Sequence, residues 1–126
     1  MAVAFGLVAL GGCAALSSDM KQAETAYEAA RYDDAVTWLR DLEDDTPDMS
    51  ESMRARFFFL RGMTAFRLGE RDEALYYLAV TREVAGDAGG SDPLGPGWRQ
   101  VLDRTLTELV PDSATFRARA EADNAR

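Results

Sequence analysis

The sequence contains no histidine, and Cys13 is its only cysteine. These absences exclude histidine-based acid–base catalysis, nucleophiles activated by histidine, internal disulfides and zinc sites built from several thiolates. Carboxylates remain, but a carboxylate becomes a catalyst only in a shaped, dry pocket, and no motif in the sequence indicates one. We therefore predict a protein that is not an enzyme and that holds no metal or cofactor.

Positive charge is also scarce in this chain. Its 126 residues include 22 acidic and 14 basic side chains, which gives a net charge of −8 at pH 7. Such a surface repels phosphate backbones, so we do not expect a nucleic-acid partner. Hydrophobic residues make up 47% of the chain and charged residues 29%, a balance that predicts one globular domain with a small core.

No hydrophobic run reaches the roughly 20 residues that a helix needs to cross a bilayer. The N-terminal apolar run covers nine residues, 2–10, which is the length of the hydrophobic region of a signal peptide. Leu10, Gly11, Gly12 and Cys13 follow it. This motif resembles the bacterial lipobox, in which a leucine and two small residues precede a cysteine.

The lipobox resemblance implies that residues 1–12 are a lipoprotein signal peptide and that Cys13 carries the lipid anchor. Residues 13–18 would then be the tether. The alternative is a buried cysteine in an apolar helix, but the two glycines oppose a helix at about 1 kcal/mol each. Ala14 after the cysteine implies, by the sorting rule of these lipoproteins, the outer membrane facing the periplasm.

The chain also contains an internal repeat. Residues 23–39 (AETAYEAARYDDAVTWL) and 62–78 (GMTAFRLGERDEALYYL) align without a gap at an offset of 39, with five of seventeen positions identical. Each copy has apolar residues at helical spacing on both sides of a break, which predicts a helical hairpin. Small residues face each other in each hairpin, Ala23 with Ala35 and Gly62 with Ala74, so the paired helices approach closely.

This pattern resembles the tetratricopeptide repeat (TPR) over residues 16–88. The resemblance implies an all-α fold of antiparallel helical hairpins stacked as a short right-handed solenoid, with a plain antiparallel bundle as the alternative. Repeat one would cover residues 16–49 and repeat two residues 55–88. The matching positions are Ala23, Ala26, Ala30, Tyr32, Ala35, Leu39 and Pro47, then Phe58, Gly62, Ala65, Gly69, Ala74 and Leu78.

The offset of 39 exceeds the usual 34 residues, and the surplus falls near residues 50–54. Thr46 as N-cap and Pro47 at the first helical position predict that this surplus lengthens one helix, from Pro47 to Leu68. Apolar residues at helical spacing from Trp98 onward predict a C-terminal cap helix over residues 98–110, because two repeats alone bury too little surface. The domain would span residues 19–110, and residues 111–126 would form a tail.

In TPR proteins the partner usually lies on the concave face, which the first helix of each hairpin lines. The resemblance implies partner contacts at Met20, Glu24, Tyr27 and Glu28 in repeat one and at Arg56, Phe59, Met63, Phe66 and Arg67 in repeat two. An apolar strip there suits a partner helix. Packing of Phe59 and Phe66 under the Trp98 helix is the open alternative. The acidic run from Asp41 to Asp48 is a solvated face, a contact for a basic partner, or a contact for Arg54 and Arg61 of the next helix.

The sequence therefore suggests a lipid-anchored TPR adaptor that binds a protein partner at the bacterial cell envelope. Such an adaptor would assist assembly of an outer-membrane or secretion complex. The alternative is a structural protein that self-associates by end-to-end stacking of its repeats.

Overall fold

The computed structural model describes residues 11–86, 91–110 and 121–125. Within these residues every regular element is helical and no strand occurs, so the all-α prediction is confirmed. The elements are α1 (Gly11–Glu28), α2 (Tyr32–Leu42), a 3-10 helix (Glu43–Asp48), α3 (Glu51–Arg67), α4 (Arg71–Ala85) and α5 (Gly95–Leu109). The chain divides into two compact units, which we call unit one (Met1–Asp48) and unit two (Met49–Arg126).

Several predicted segments lie outside the described residues. They are residues 1–10 of the signal peptide, the side chain of Cys13, residues 87–90, and residues 111–120 and 126 of the tail. The backbone at Gly11 and Gly12 is described and is helical, because both residues lie in α1. The cost of these two glycines therefore does not prevent a helix here, and the strong helix formers Ala14, Ala15 and Leu16 that follow offset it.

Each unit contains a helical hairpin, and both hairpins turn in the same way. Ala30 in unit one has φ 58° and Gly69 in unit two has φ 80°, so both adopt the left-handed conformation that ends many helices. Two backbone bonds around that residue recur at the offset of 39 positions. They are Arg31 N to Ala26 O (2.8 Å) with Glu70 N to Ala65 O (2.9 Å), and Ala30 N to Tyr27 O (3.0 Å) with Gly69 N to Phe66 O (3.2 Å).

The predicted small-residue seams lie inside each hairpin. Ala23, Ala35 and Ala74 have no exposed surface. A Cβ on Gly62 would lie 2.7 Å from side-chain atoms of Leu78 and 3.0 Å from its backbone nitrogen. Helix α3 therefore approaches α4 as closely as a glycine permits, and its nearest neighbour is Leu78, one turn beyond Ala74.

Helix α5 packs on the hairpin of unit two. It buries Leu102, Leu106 and Leu109, and the Arg71 guanidinium of α4 donates a hydrogen bond to the Leu109 carbonyl. These contacts explain how a two-helix unit acquires a third apolar layer, since a single hairpin cannot bury both of its faces.

Arg99 fastens the beginning of α5 to the end of α4. Its Nε and Nη2 donate to the two carboxylate oxygens of Asp92 at 2.9 and 3.0 Å, and its Nη1 donates to the Gly86 carbonyl at 2.7 Å. The hydrogen bonds from Arg99 hold the pKa of the Asp92 carboxyl below its usual range, assisted by the Leu94 backbone N–H and opposed by burial. This ion pair therefore stabilises unit two at every pH at which Asp92 is ionised.

The predicted long helix from Pro47 to Leu68 is wrong. Pro47 lies inside the 3-10 helix, and α3 begins only at Glu51, after Ser50 as N-cap. The Ser50 side chain accepts a hydrogen bond from the Met53 backbone N–H at 3.2 Å. The surplus residues are thus accommodated by a 3-10 segment and a new cap, because Ser50 offers a better-placed acceptor than Thr46, whose hydroxyl instead donates to the Glu43 carbonyl.

Candidate protein-interaction surface

The predicted contact residues of unit one differ in exposure. Met20 is only 5% exposed, whereas Glu24 and Tyr27 are half-buried and Glu28 is exposed. Met20 precedes the buried Ala23 by three residues, so it continues the inner stripe of α1. Met20 therefore offers almost no accessible surface in this conformation and partner contact there stays a prediction, while the other three side chains retain accessible surface.

Two predicted contacts in unit two are also buried. Phe59 and Met63 are each 1% exposed. The Phe59 ring stacks on the Trp98 indole of α5, with centroids 4.6 Å apart and an interplanar angle of 18°. Phe59 and Met63 are one helical turn apart on the same face of α3, so this face belongs to the core. Phe59 packs under the Trp98 helix, as in the alternative, and neither Phe59 nor Met63 offers accessible surface in this conformation, so partner contact at these two residues stays a prediction.

The remaining predicted residues of unit two lie at or near the surface. The Arg56 guanidinium carbon lies 4.7 Å from the centre of the Trp98 ring, so this half-buried side chain is held by α5. Phe66 is half-buried and Arg67 is exposed, with its guanidinium carbon 5.9 Å from the Phe66 ring. The end of α3 therefore keeps an aromatic and a cation that a partner can reach.

Unit two also contains a buried arginine that the sequence did not predict. Arg61 on α3 is 3% exposed, and its Nη2 lies 3.6 Å from Oε1 of Glu73 on α4. Its guanidinium carbon lies 4.9 Å from the centre of the Tyr77 ring. Glu73 and Tyr77 are four residues apart and thus share one face of α4. A carboxylate and an aromatic ring at this spacing therefore bind a guanidinium inside the hairpin.

Aromatic rings lead from this site to the surface. Phe58 stacks on Tyr77 with centroids 6.2 Å apart, and Tyr77 meets Tyr76 edge to face at 5.1 Å. Tyr76 is 63% exposed and lies in an open depression at the beginning of α4. The depression is lined by Glu70, Arg71, Asp72, Glu73, Tyr76 and Tyr77. Its open shape suits contact with a partner side chain.

Helix α2 of unit one presents a second exposed aromatic residue, Trp38, which is 37% exposed. Asp34 and Asp41 lie four residues before it and three residues after it, so all three share one side of the helix. Both carboxylates are exposed. The sequence contained the signal for this surface, because an acidic residue four positions before an aromatic recurs in both repeats.

Neither a metal centre nor a membrane-crossing element is found in residues 11–86, 91–110 and 121–125. No group of three or more carboxylates or thiols there is arranged to hold a metal ion. No helix among them is both long and apolar enough to cross a bilayer. Compared with known proteins, the chain shows no significant match to a family model, to a curated protein or to a solved structure.

Proposed function

We propose that this chain is a lipid-anchored adaptor that binds a protein partner at the bacterial cell envelope through a short TPR-like array. In this proposal the two hairpins stack as a right-handed solenoid over residues 19–110, and α5 caps it. The single observation that carries the proposal is the duplicated turn. Two hairpins 39 residues apart close with the same backbone bonds around a left-handed residue, as expected for copies of one structural unit.

The anchor in this proposal is a lipid on Cys13, after removal of residues 1–12. Helix α1 runs from Gly11 to Glu28, so residues 13–18 are helical and are not an extended tether. Met20 lies seven positions after Cys13 along the helix, a rise of about 10 Å, and is the first buried residue among the described side chains of α1. The lipid would therefore hold unit one close to the membrane surface, and two or more acyl chains suffice for stable anchoring.

Incorporation of radiolabelled palmitate tests the anchor. We expect label in the wild-type chain produced in a bacterium with the lipoprotein pathway, and none in Cys13→Ser. Fractionation should place the wild type in the outer membrane and release the variant. An unlabelled wild type in that host would refute the membrane half of the proposal.

Partner binding is tested by photo-crosslinking from the accessible residues of the first helices. A photoreactive amino acid replaces Tyr27 in one variant and Phe66 in another, and the exposed Arg104 of α5 serves as the control position. We expect one envelope protein to be captured from both test positions and not from the control. Capture from Arg104 alone, or equal capture from all three, would refute a partner surface on α1 and α3.

Self-association is the second candidate, and the charge distribution favours it. Residues 19–51 hold eleven acidic and three basic side chains, a net charge of −8, whereas residues 52–126 hold eleven of each. The acidic part of one molecule can therefore attract the arginine-rich part of another. Sedimentation of Cys13→Ser at micromolar concentration and low salt tests this candidate, and a monomer under those conditions would reject it.

A further inference from the structure

The arginine site of unit two has a counterpart in unit one that lacks its arginine. At the offset of 39 residues, Glu73 corresponds to Asp34 and Tyr77 corresponds to Trp38. The residue that corresponds to Arg61 is Gln22, a neutral and exposed side chain of α1. Unit one therefore repeats the carboxylate and the aromatic ring on its second helix, but its first helix supplies no guanidinium at the matching position.

The counterpart is accessible from solvent. Trp38 is 37% exposed, whereas Tyr77 under Arg61 is only 9% exposed. Asp34 and Trp38 are four residues apart on α2, which places their Cβ atoms about 5–6 Å from each other. Asp34 and Trp38 are thus spaced along α2 as Glu73 and Tyr77 are along α4.

Unit one also adds negative charge to this surface. Asp41 lies three residues after Trp38, whereas the matching residue in unit two is Val80. Arg31 forms an ion pair with Asp34 at 3.2 Å, with side-chain exposures of 56% and 60%. An ion pair this exposed contributes little, so an incoming cation can share or replace it. Charge complementarity therefore favours a basic side chain.

We propose that Asp34, Trp38 and Asp41 bind an arginine side chain of a protein partner, in the way that Glu73 and Tyr77 bind Arg61. Arginine is favoured over lysine because its planar guanidinium stacks on a ring while it donates to a carboxylate. Tryptophan is the best aromatic partner for such a cation. This inference rests on the proposed adaptor function and names the chemistry that the adaptor recognises.

An NMR titration of the full-length Cys13→Ser chain tests the proposal, with N-acetyl-arginine amide as the probe. The chain has two tryptophans, and Trp98→Phe identifies which indole N–H signal belongs to Trp38. We expect the Trp38 signal to shift with the arginine probe and the Trp98 signal to stay. N-acetyl-lysine amide should bind more weakly, by about two- to fivefold.

Two charge-matched variants separate a specific site from general attraction. Asp34→Asn should weaken binding of the arginine probe by about two- to fivefold. Asp33→Asn, on the adjacent side of α2, should cause less than about half of this loss in affinity. Equal losses in the two variants, or equal binding of the lysine probe, would overturn the proposal in favour of nonspecific charge attraction.

A third variant completes the site within the chain. Gln22→Arg places a guanidinium where Arg61 lies in unit two, and we expect it to raise the midpoint of thermal unfolding and to suppress the probe-induced shift of Trp38. Gln22→Lys provides the control and should do both less effectively. An unchanged shift in Gln22→Arg would overturn the structural correspondence.

Failure of this inference is distinguishable from failure of the adaptor proposal. If crosslinking captures a partner but the arginine probe leaves the Trp38 signal unchanged, the arginine site is wrong and the adaptor stands. If the probe binds as expected but neither Tyr27 nor Phe66 captures a protein, the arginine site stands and the proposed partner surface is wrong.

Discussion

The two hairpins offer a matched test of backbone strain, because the same left-handed turn position is Ala30 in one and Gly69 in the other. A left-handed conformation costs an alanine about 1–2 kcal/mol. Replacing Ala30 with glycine removes that cost but adds about 0.4–1 kcal/mol of chain entropy to the unfolded state. We therefore expect Ala30→Gly to stabilise unit one by about 0.5–1 kcal/mol. Gly69→Ala should destabilise unit two by a similar amount.

The reverse substitution isolates strain from packing. A Cβ at Gly69 would meet no atom of the described residues within 4 Å, so Gly69→Ala introduces no steric clash. Urea unfolding of the Cys13→Ser chain measures both effects, and each unit carries its own tryptophan, Trp38 or Trp98, as a fluorescence probe. If both substitutions lower the midpoint of urea unfolding, or if Ala30→Gly lowers it alone, the strain at Ala30 is refuted.

Three further predictions concern unit two. Gly62→Ala should destabilise it by about 1–2 kcal/mol in urea unfolding, because the new Cβ would press against α4 and this overpacking exceeds the gain in helix propensity. Thr64→Val should stabilise it by about 1 kcal/mol, since the buried Thr64 hydroxyl has no hydrogen-bond partner among the described residues. The same substitution at the exposed Thr25 is the control and should leave the free energy of unfolding unchanged. Asp92→Asn should remove part of the acid sensitivity of thermal unfolding. The lowered pKa of Asp92 means that its bond to Arg99 stabilises the fold above the unfolded pKa of about 3.9, and this contribution is lost as pH falls through the folded value.

The hairpins were predictable because their determinants are local and occur twice. The turn positions, the acidic starts of α2 and α4 and the small residues at the helix contacts all follow from two aligned segments of sequence. The beginning of α3 was not predictable to the same degree, because Thr46 and Ser50 are both acceptable caps in sequence. The choice between them depends on a 3-10 segment in which the intervening residues also satisfy their backbone groups.

The burial of two predicted partner residues, Phe59 and Met63, was not predictable from their local spacing. Phe59 and Met63 have the spacing of a surface strip, and the Trp98 ring, more than thirty residues later in the chain, stacks on Phe59. The buried Arg61 was missed for a related reason, since arginine is rarely buried unless another element supplies its partners. Glu73 and Tyr77 supply them across the hairpin.

This burial pattern disfavours partner contact at the buried residues of the first helices relative to the exposed residues of α2. A partner helix that contacted Phe59 would have to displace Trp98 and expose the Phe59 ring, at about 1.5–3 kcal/mol for the loss of its apolar contacts. A partner on α2 meets Trp38 already exposed, with Asp34 beside it, and displaces no core residue. The cost of opening the core therefore favours recognition through α2 unless the partner itself replaces the contacts of α5.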